Sequence, residues 1–507
     1  MKKLNLLFIG ILSACALNAQ DISDALRYSQ SEIQGTARFR ALSGAFGALG
    51  GDMSAVSLNP ASSAVFNASH VSFSLSNADV KNETQYFNGF NTVNNSKFDL
   101  NQGGASFVFA ARNGSPWRKF SLGVAYEKTN NHENVWNALG TNTNNDGQFS
   151  NSIVSYFYDY ADGIRLDQIS LDDRFIEEAY QDIGERYGFA HQQAFLGYQA
   201  YILDPVTDSD DNTEYVANIG TGNFTHDYAY ISTGYNGKIS FNFATQYEDK
   251  LYLGLNLNSH FIDYDRITSL KEDNNNGDSN SINFIDFDNT LSTTGNGFSF
   301  QLGGILKLTQ EFRVGATYDS PTWYTIREET TQYINTNLAD PDVDYIPSII
   351  NIYPQYRLQT PGKFTGSLAY IFGTQGLLSF DYSIKDYSNT KFKPTSDSFF
   401  ADQNMIMSDV LTTASTYRIG GEYRLKQLSF RGGYRYEESP YANGNTVGDL
   451  NGFSIGLGYD FGNTKFDVTF DQSQRSFETP LYNVGLIDAA SIDQTNSNVT
   501  FSLSFNL

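Results

Sequence analysis

"LYLGLNLNSHF", Leu251 to Phe261, sets Leu251, Leu253, Leu255, Leu257 and Phe261 on alternate positions, with Tyr252, Gly254, Asn256, Asn258 and His260 between them. A period of two is the signature of a strand with one apolar face and one polar face. At about ten residues it is long enough to cross a bilayer as a tilted strand. Similar segments recur from residue 70 onward: "VSFSLS", "ASFVFAA", "FSLGVAY", "ISFNFATQY", "FSFQLGGILKL", "FRVGATY" and "FTGSLAYIF". "LSFDYSI", "YRIGGEYRL", "LSFRGGYRY", "FSIGLGYDF", "FDVTFDQ" and the C-terminal "VTFSLSFNL" bring the total to about fourteen.

The connections alternate in length. "RNGSPWRK", "EDK", "TQE", "GTQG", "KQ" and "GNT" follow the even-numbered segments. The intervening connections are long, acidic and rich in Asn, Asp and Gly. Short turns at one end and long loops at the other indicate a transmembrane antiparallel β-barrel of about 14 strands in a bacterial outer membrane. An even strand number puts both termini on the periplasmic side. A soluble sandwich also alternates, but it needs a second apolar layer. Here the residues off the apolar face are mostly Gly, Ser, Asn, Thr and Asp. Tyr126, Tyr247, Tyr318, Tyr436, Tyr459 and Phe461 fall at strand ends, where an aromatic girdle belongs.

The bulk composition agrees. The 507 residues carry a formal charge of −23 and are 15% aromatic, with 43 Gly and 11 Pro. That charge argues against nucleic acid as a partner and for an acidic outer surface. A negative mean hydropathy does not argue for a soluble protein, because lipid-facing and lumen-facing residues cancel in an average. No window holds 18 apolar residues, which excludes a helical span.

"MKKLNLLFIGILSACALNAQD" reads as an export signal, residues 1–19, with cleavage after Ala19. The single cysteine, Cys15, lies within it. "LSAC" also fits a lipobox, so lipidation at Cys15 is the alternative. Either way no disulfide can hold the fold.

Residues 20–66 precede the first strand and read as a hatch. A barrel this wide leaks unless its lumen is filled. "ALSGAFGALGG" is small enough for close backbone packing, Asp52 suits the N-cap of "MSAVSL", and Pro60 ends any helix continuing through Asn59. "RALSGAFGALGGDMSAVSLNPAS", Arg40 to Ser62, resembles the N-terminal hatch of the FadL/TodX outer membrane transporters of long-chain fatty acids and aromatic hydrocarbons. The resemblance rests on the Gly/Ala-rich run with Gly50, Gly51 and Asp52, and on the Asn59-Pro60-Ala61 turn. Ser62 stands where the family commonly has Gly. The resemblance implies a barrel at residues 67–507, ligand capture by the loops, binding in the lumen, and lateral release at a kinked third strand. On that strand Gly123 is the residue most able to relax pairing.

Residues 128–230 are too long for a structureless loop. Ile153, Tyr156, Phe157, Tyr160, Ala161 and Ile164 recur at helical spacing, as do Phe175, Ile176, Ala179, Tyr180 and Ile183. The second helix is expected to begin at a capping box from Ser170 and end at Gly184. Two such helices either form an apolar groove for a ligand or pack together and cap the barrel.

Alternation also sends Arg418, Arg424, Arg431 and Arg435 into the lumen, with Glu422 and Glu437 among them. The arginines either pair with those carboxylates or bind an acidic ligand by charge-assisted hydrogen bonds. Arg38 and Arg40 are a second candidate pair. "EDNNNGDSN" and "TNTNNDGQ" lack the acidic twelfth position of an EF-hand loop, so no metal is expected, and no cofactor. The five histidines accompany no nucleophile motif, and His260 is the one lumen-facing candidate to sit beside a Ser or Thr, so no enzyme is expected. The partners expected are a hydrophobic small molecule, outer-membrane lipid and the barrel-insertion machinery that reads the C-terminal strand, with the protein a monomer. The function expected is passive uptake. The alternatives are a barrel serving a protein-secretion system, or a haem receptor.

Overall fold

In a computed structural model, which describes residues 21–111, 114–144, 149–278 and 280–507, the alternating segments form one closed wall. The export signal and its cysteine lie outside the described residues. The strands are β1 (His70–Tyr86), β2 (Gly89–Ala110), β3 (Trp117–Asn131, continued by Asn134–Asn142), β4 (Phe224–Tyr247), β5 (Leu251–Asp273) and β6 (Phe284–Lys307). Then come β7 (Phe312–Asp319, continued by Trp323–Thr336), β8 (Tyr356–Gln359, continued by Lys363–Ile371), β9 (Gly376–Asp386) and β10 (Thr413–Leu425). β11 (Leu428–Glu437), β12 (Leu450–Asp460), β13 (Thr464–Pro480) and β14 (Ala489–Asn506) complete the sheet. Each strand pairs antiparallel with its neighbour, and β1 pairs with β14 from His70–Asn506 to Gln85–Ser491, closing the barrel.

Closure removes the exposed sheet edges and satisfies the backbone inside lipid. Outward-facing Phe107, Phe120, Phe241, Leu253, Leu302, Leu368, Ile419, Ile455 and Phe501 remain exposed as an apolar belt. Aromatics gather by the short turns, with Trp117 against Tyr247 at 5.0 Å and Tyr459 against Phe461 at 4.5 Å.

The wall is much taller on one side. β4, β5 and β6 run 24, 23 and 24 residues, whereas β9, β11 and β12 run only 11, 10 and 11. The polar stretch after the first segment, expected as a long loop, is strand: β1 and β2 continue to a tight turn at Phe87 and Asn88. Asn- and Thr-rich sequence looks like loop. Here it pairs across a hairpin that rises beyond the apolar belt.

Above the tall side sit α4 (Val154–Ala161), α5 (Ile176–Tyr187) and α6 (Phe189–Gln199). Ile153, Phe157, Ala179, Phe195 and Leu196 are buried with Phe224, Leu270, Ile285 and Phe287 of the extended strands. The helices therefore pack together and cap the barrel rather than forming an open groove. The expected limits of the second helix move: Phe175 stands at the N-cap, and Ser170 instead hydrogen-bonds Asp172 at 2.7 Å. Gly184 lies inside α5 because Gln192 of α6 packs where its Cβ would go, and the turn falls to Gly188 at φ +90°. In this cap, burial pushes the Tyr180 hydroxyl up and the His191 imidazole down.

Candidate functional site: the lumen

The N-terminal segment enters the barrel as α1 (Ile22–Ser29), α2 (Ala37–Ala41), α3 (Met53–Leu58) and a 3-10 turn over Pro60–Val65. Helices this short leave most of their backbone groups without an internal partner. The wall supplies those partners. Asp381 accepts from the Phe46 and Gly47 amides at 2.9 and 3.0 Å, and Ser502 from the Ala37 amide at 2.6 Å. Asn242, Asn256, Gln301 and Arg313 donate to the carbonyls of Pro60, Val56, Ser57 and Leu49 at 2.8–2.9 Å. This is why the inward positions of the strands are amides, hydroxyls and small residues.

Gly50 and Gly51 take φ of +65° and +70°, a tight bend open to glycine. Asp52 caps α3 by accepting from the Ser54 amide at 2.9 Å and from the Thr36 hydroxyl at 2.7 Å. Asn59 donates to the carbonyls of Gly47 and Gly304 and accepts from the Ala61 amide, pinning the Asn59-Pro60-Ala61 turn against the wall. Any side chain at Gly303 of β6 would strike Asn59 and Pro60, and one at Gly254 of β5 would strike Pro60 and Ala61.

The candidate arginines divide into two groups. Glu422, deep in the wall, accepts from Arg38 at 2.9 Å, Arg424 at 2.5 Å and Arg431 at 2.6 Å, and Arg431 also reaches Asp467 at 2.6 Å. Arg40 grips Asp471 through two parallel bonds at 2.7 and 2.8 Å. These arginines join the N-terminal segment to β10, β11 and β13. Arg418 and Arg435 face a cavity of about 240 Å³ that is also lined by Arg40 and by Ser31, Glu32 and Ile33 of the N-terminal segment. With them stands Arg475, beyond the apolar run of its strand and unremarkable in sequence. It meets Glu437 only because the barrel brings β10, β11 and β13 together.

The same cavity reaches β1 and β3 at Val80, Asn131, His132 and Asn134. There the ladder between β2 and β3 stops: pairing runs from Ala110–Lys119 up to Gln102–Glu127 and no farther. Above this point the two strands are joined across a seam by Lys128–Asp99 at 3.0 Å and by Lys97–Glu133. The last pair lies beside Tyr126, which stacks on Phe261 at 6.3 Å at the outer end of the belt. Gly123 lies lower, paired with Ser106 and Asn242 in unbroken ladder.

His260 does find a hydroxyl, that of Ser299 on β6 at 2.8 Å. Asn258 donates to the same hydroxyl at 3.1 Å. Among the described residues no carboxylate hydrogen-bonds the second ring nitrogen, so the pair lacks the orienting group of a nucleophilic triad. No group of three or more His, Cys, Asp or Glu is placed to hold a metal ion among the described residues.

Comparison with known proteins places this geometry. Residues 205–506 match the model of the outer membrane protein transport protein (OMPP1/FadL/TodX) family. A FadL homologue of Pseudomonas aeruginosa superposes with a TM-score of 0.53 at 11% identity, over 94% of this chain and 99% of that one. The P. putida toluene transporter TodX aligns at a TM-score of 0.48 and 12% identity, over 94% and 99%. The CymD monoaromatic hydrocarbon channel aligns at 0.49 and 13%, over 94% and 97%. No curated protein sequence matches significantly. The family match spans more than half of the chain and the closed barrel agrees with it: the chain belongs to the outer membrane protein transport protein (OMPP1/FadL/TodX) family.

Proposed function

We propose that this outer-membrane barrel carries hydrophobic small molecules inward passively, with the lumen cavity as a way station and the β2–β3 seam as the lateral way out. The observation that carries the reading is a closed barrel whose straight path is filled by residues 21–66, while its cavity reaches a stretch of wall where two neighbouring strands lose their ladder. A ligand leaving there passes between side chains rather than through a hydrogen-bonded sheet. The N-terminal segment acts as the hatch, and Asn59-Pro60-Ala61 is its lower anchor. The C-terminal strand ends at the short-turn end, which this reading places in the periplasm, whereas the first described residue, Asp21, lies on the long-loop side with its carboxylate accepting from Asn483 at 3.2 Å.

Uptake of labelled oleate by cells with and without the protein tests the transport reading, and equal uptake would refute it. The seam is tested separately. The chain has no cysteine after residue 15, so cysteines at Asp99 and Lys128 can be bridged by a short bifunctional reagent. Bridging is expected to stop uptake while leaving the barrel folded; undiminished uptake would place the exit elsewhere.

A further inference from the structure

One sector of the cavity departs from the charge pairing elsewhere in the lumen. Glu422 and Asp471 hydrogen-bond their arginines closely. Glu437, in contrast, is approached by Arg418 at 3.8 Å, Arg435 at 3.7 Å and Arg475 at 3.9 Å, all beyond hydrogen-bonding reach. Arg418 Nε, Arg475 Nε and Glu437 Oε1 are buried with no hydrogen-bond partner, and Arg435 is only 9% exposed. Three guanidinium groups thus face one carboxylate that none of them bonds. Lys385 lines the same sector, its ammonium held by the Ser29 carbonyl. The other lining carboxylates are engaged or lie apart. Glu438 accepts from the Ser415 amide, Glu133 pairs with Lys97, Glu32 accepts from Gln34, and Asp79 is on the β1 wall. Buried charge with unmet donors is costly to hold. Donors left unmet and aimed into a cavity suit an acceptor that comes from outside.

We infer that Arg418, Arg435 and Arg475 bind the anionic head of an amphiphilic ligand, and that a doubly charged, phosphate-like head suits them best. Guanidinium forks match the oxygens of carboxylate and phosphate alike. After Glu437 is counted, the three arginines retain two positive charges. A phosphate monoester neutralises both, whereas a carboxylate neutralises one. Val80, Ala414, Leu450 and Phe477 offer the same cavity an apolar side for the adjoining tail. Specificity then rests on acidity rather than on hydrocarbon shape. This rests on the lumen being the ligand's route, as proposed above.

Calorimetric titration of the full chain in lipid nanodiscs with octyl phosphate, octanoate and octanol at pH 8 tests it, since the three share one tail. Octyl phosphate is expected to bind most tightly and octanol at least about tenfold more weakly than either acid. Arg475→Ala leaves one of the two positive charges and is expected to bring octyl phosphate down to the affinity of octanoate, with Arg475→Lys keeping the preference. Should Arg475→Ala not fold, Glu437→Gln decides. It removes the internal anion and is expected to tighten both acids, whereas loss of a merely structural contact would weaken them. Affinities within about twofold for all three probes, or weaker acid binding in Glu437→Gln, would overturn the anion site; octanoate matching octyl phosphate would overturn its dianionic character. If octanol binds and oleate uptake persists while the acids gain nothing, this inference fails and the transport reading stands. If no probe binds and uptake is absent, both fall.

Discussion

The molecule has two interiors. Between the strands of the apolar belt, the lumen is packed with charged and amide side chains that hold the N-terminal segment by its backbone. Above, under α4, α5 and α6, the interior is apolar, with Phe157, Phe195, Leu270 and Ile285 fully buried. Both are filled by side chains, yet they are held by different forces. Hydrophobic burial is non-directional and offers no specific point at which an anion can compete. A hydrogen-bonded polar core is directional, and a competing anion or a lost partner disturbs it at specific points. The lumen can therefore respond to a charged ligand, while the cap serves as rigid cover.

This contrast can be broken most severely at Glu422. Glu422→Ala leaves Arg38, Arg424 and Arg431 without their shared carboxylate and is expected to cost roughly 3–5 kcal/mol. Urea unfolding of the protein in micelles would measure this, and pairing it with Arg38→Met should recover part of the loss. In the cap, Phe157→Ala is expected to cost about 3 kcal/mol through the cavity it leaves. Limited proteolysis should then cut within residues 149–223 while the barrel stays intact. Cleavage or melting of the barrel together with the cap would show one cooperative unit instead of two.

A milder test forces the two layers of the lumen apart. Gly303→Val drives a side chain into Asn59 and Pro60, with an expected cost of about 1–3 kcal/mol. Conductance to a small hydrophilic solute in planar bilayers should rise. Unchanged conductance would mean that the turn does not seal the lumen.

The smallest effect belongs to pH. His191 of α6 is half-buried, stacks on Tyr187 at 4.9 Å and contacts Gln168 at 3.3 Å. Burial lowers its pKa in the folded cap, so the unfolded segment binds the proton more readily. Cap stability is complete above the ordinary imidazole value of about 6.5 and declines as pH falls through it, levelling off below the folded value. Amide exchange in α6 should quicken modestly between pH 7.5 and pH 5, and His191→Asn should remove that change. An equal response in the variant would assign the effect to another group.

Several features are legible in the chain's residues alone. Period-two alternation marks the wall segments because lipid on one side and polar filling on the other impose opposite demands on successive residues. The Gly50-Gly51 bend and the Asp52 cap follow from local backbone chemistry. Other features are hidden. Every position of α6 from Gln192 to Gly197 is buried, so it shows no amphipathic stripe and escapes a periodicity reading. The upper halves of β1 and β2 look like loop because their side chains meet water or other polar groups on both faces.

The candidate arginines show the same limit at the site. Alternation brings Arg418, Arg424, Arg431 and Arg435 to the lumen together but cannot divide them. Arg424 and Arg431 are taken up by Glu422, and Arg418 and Arg435 are left around Glu437 with Arg475. That division depends on which carboxylate each register brings within reach, and on a strand far along the chain.

The sequence by itself determined a lipid-facing barrel with a small, glycine-rich segment ahead of it, because alternation and turn length are local properties. Tertiary structure alone decided which strands lose their pairing, which charges are shared and which are left facing a cavity. Those depend on register and closure between residues tens to hundreds of positions apart, where a shift of one position exchanges the inside of the wall for the outside.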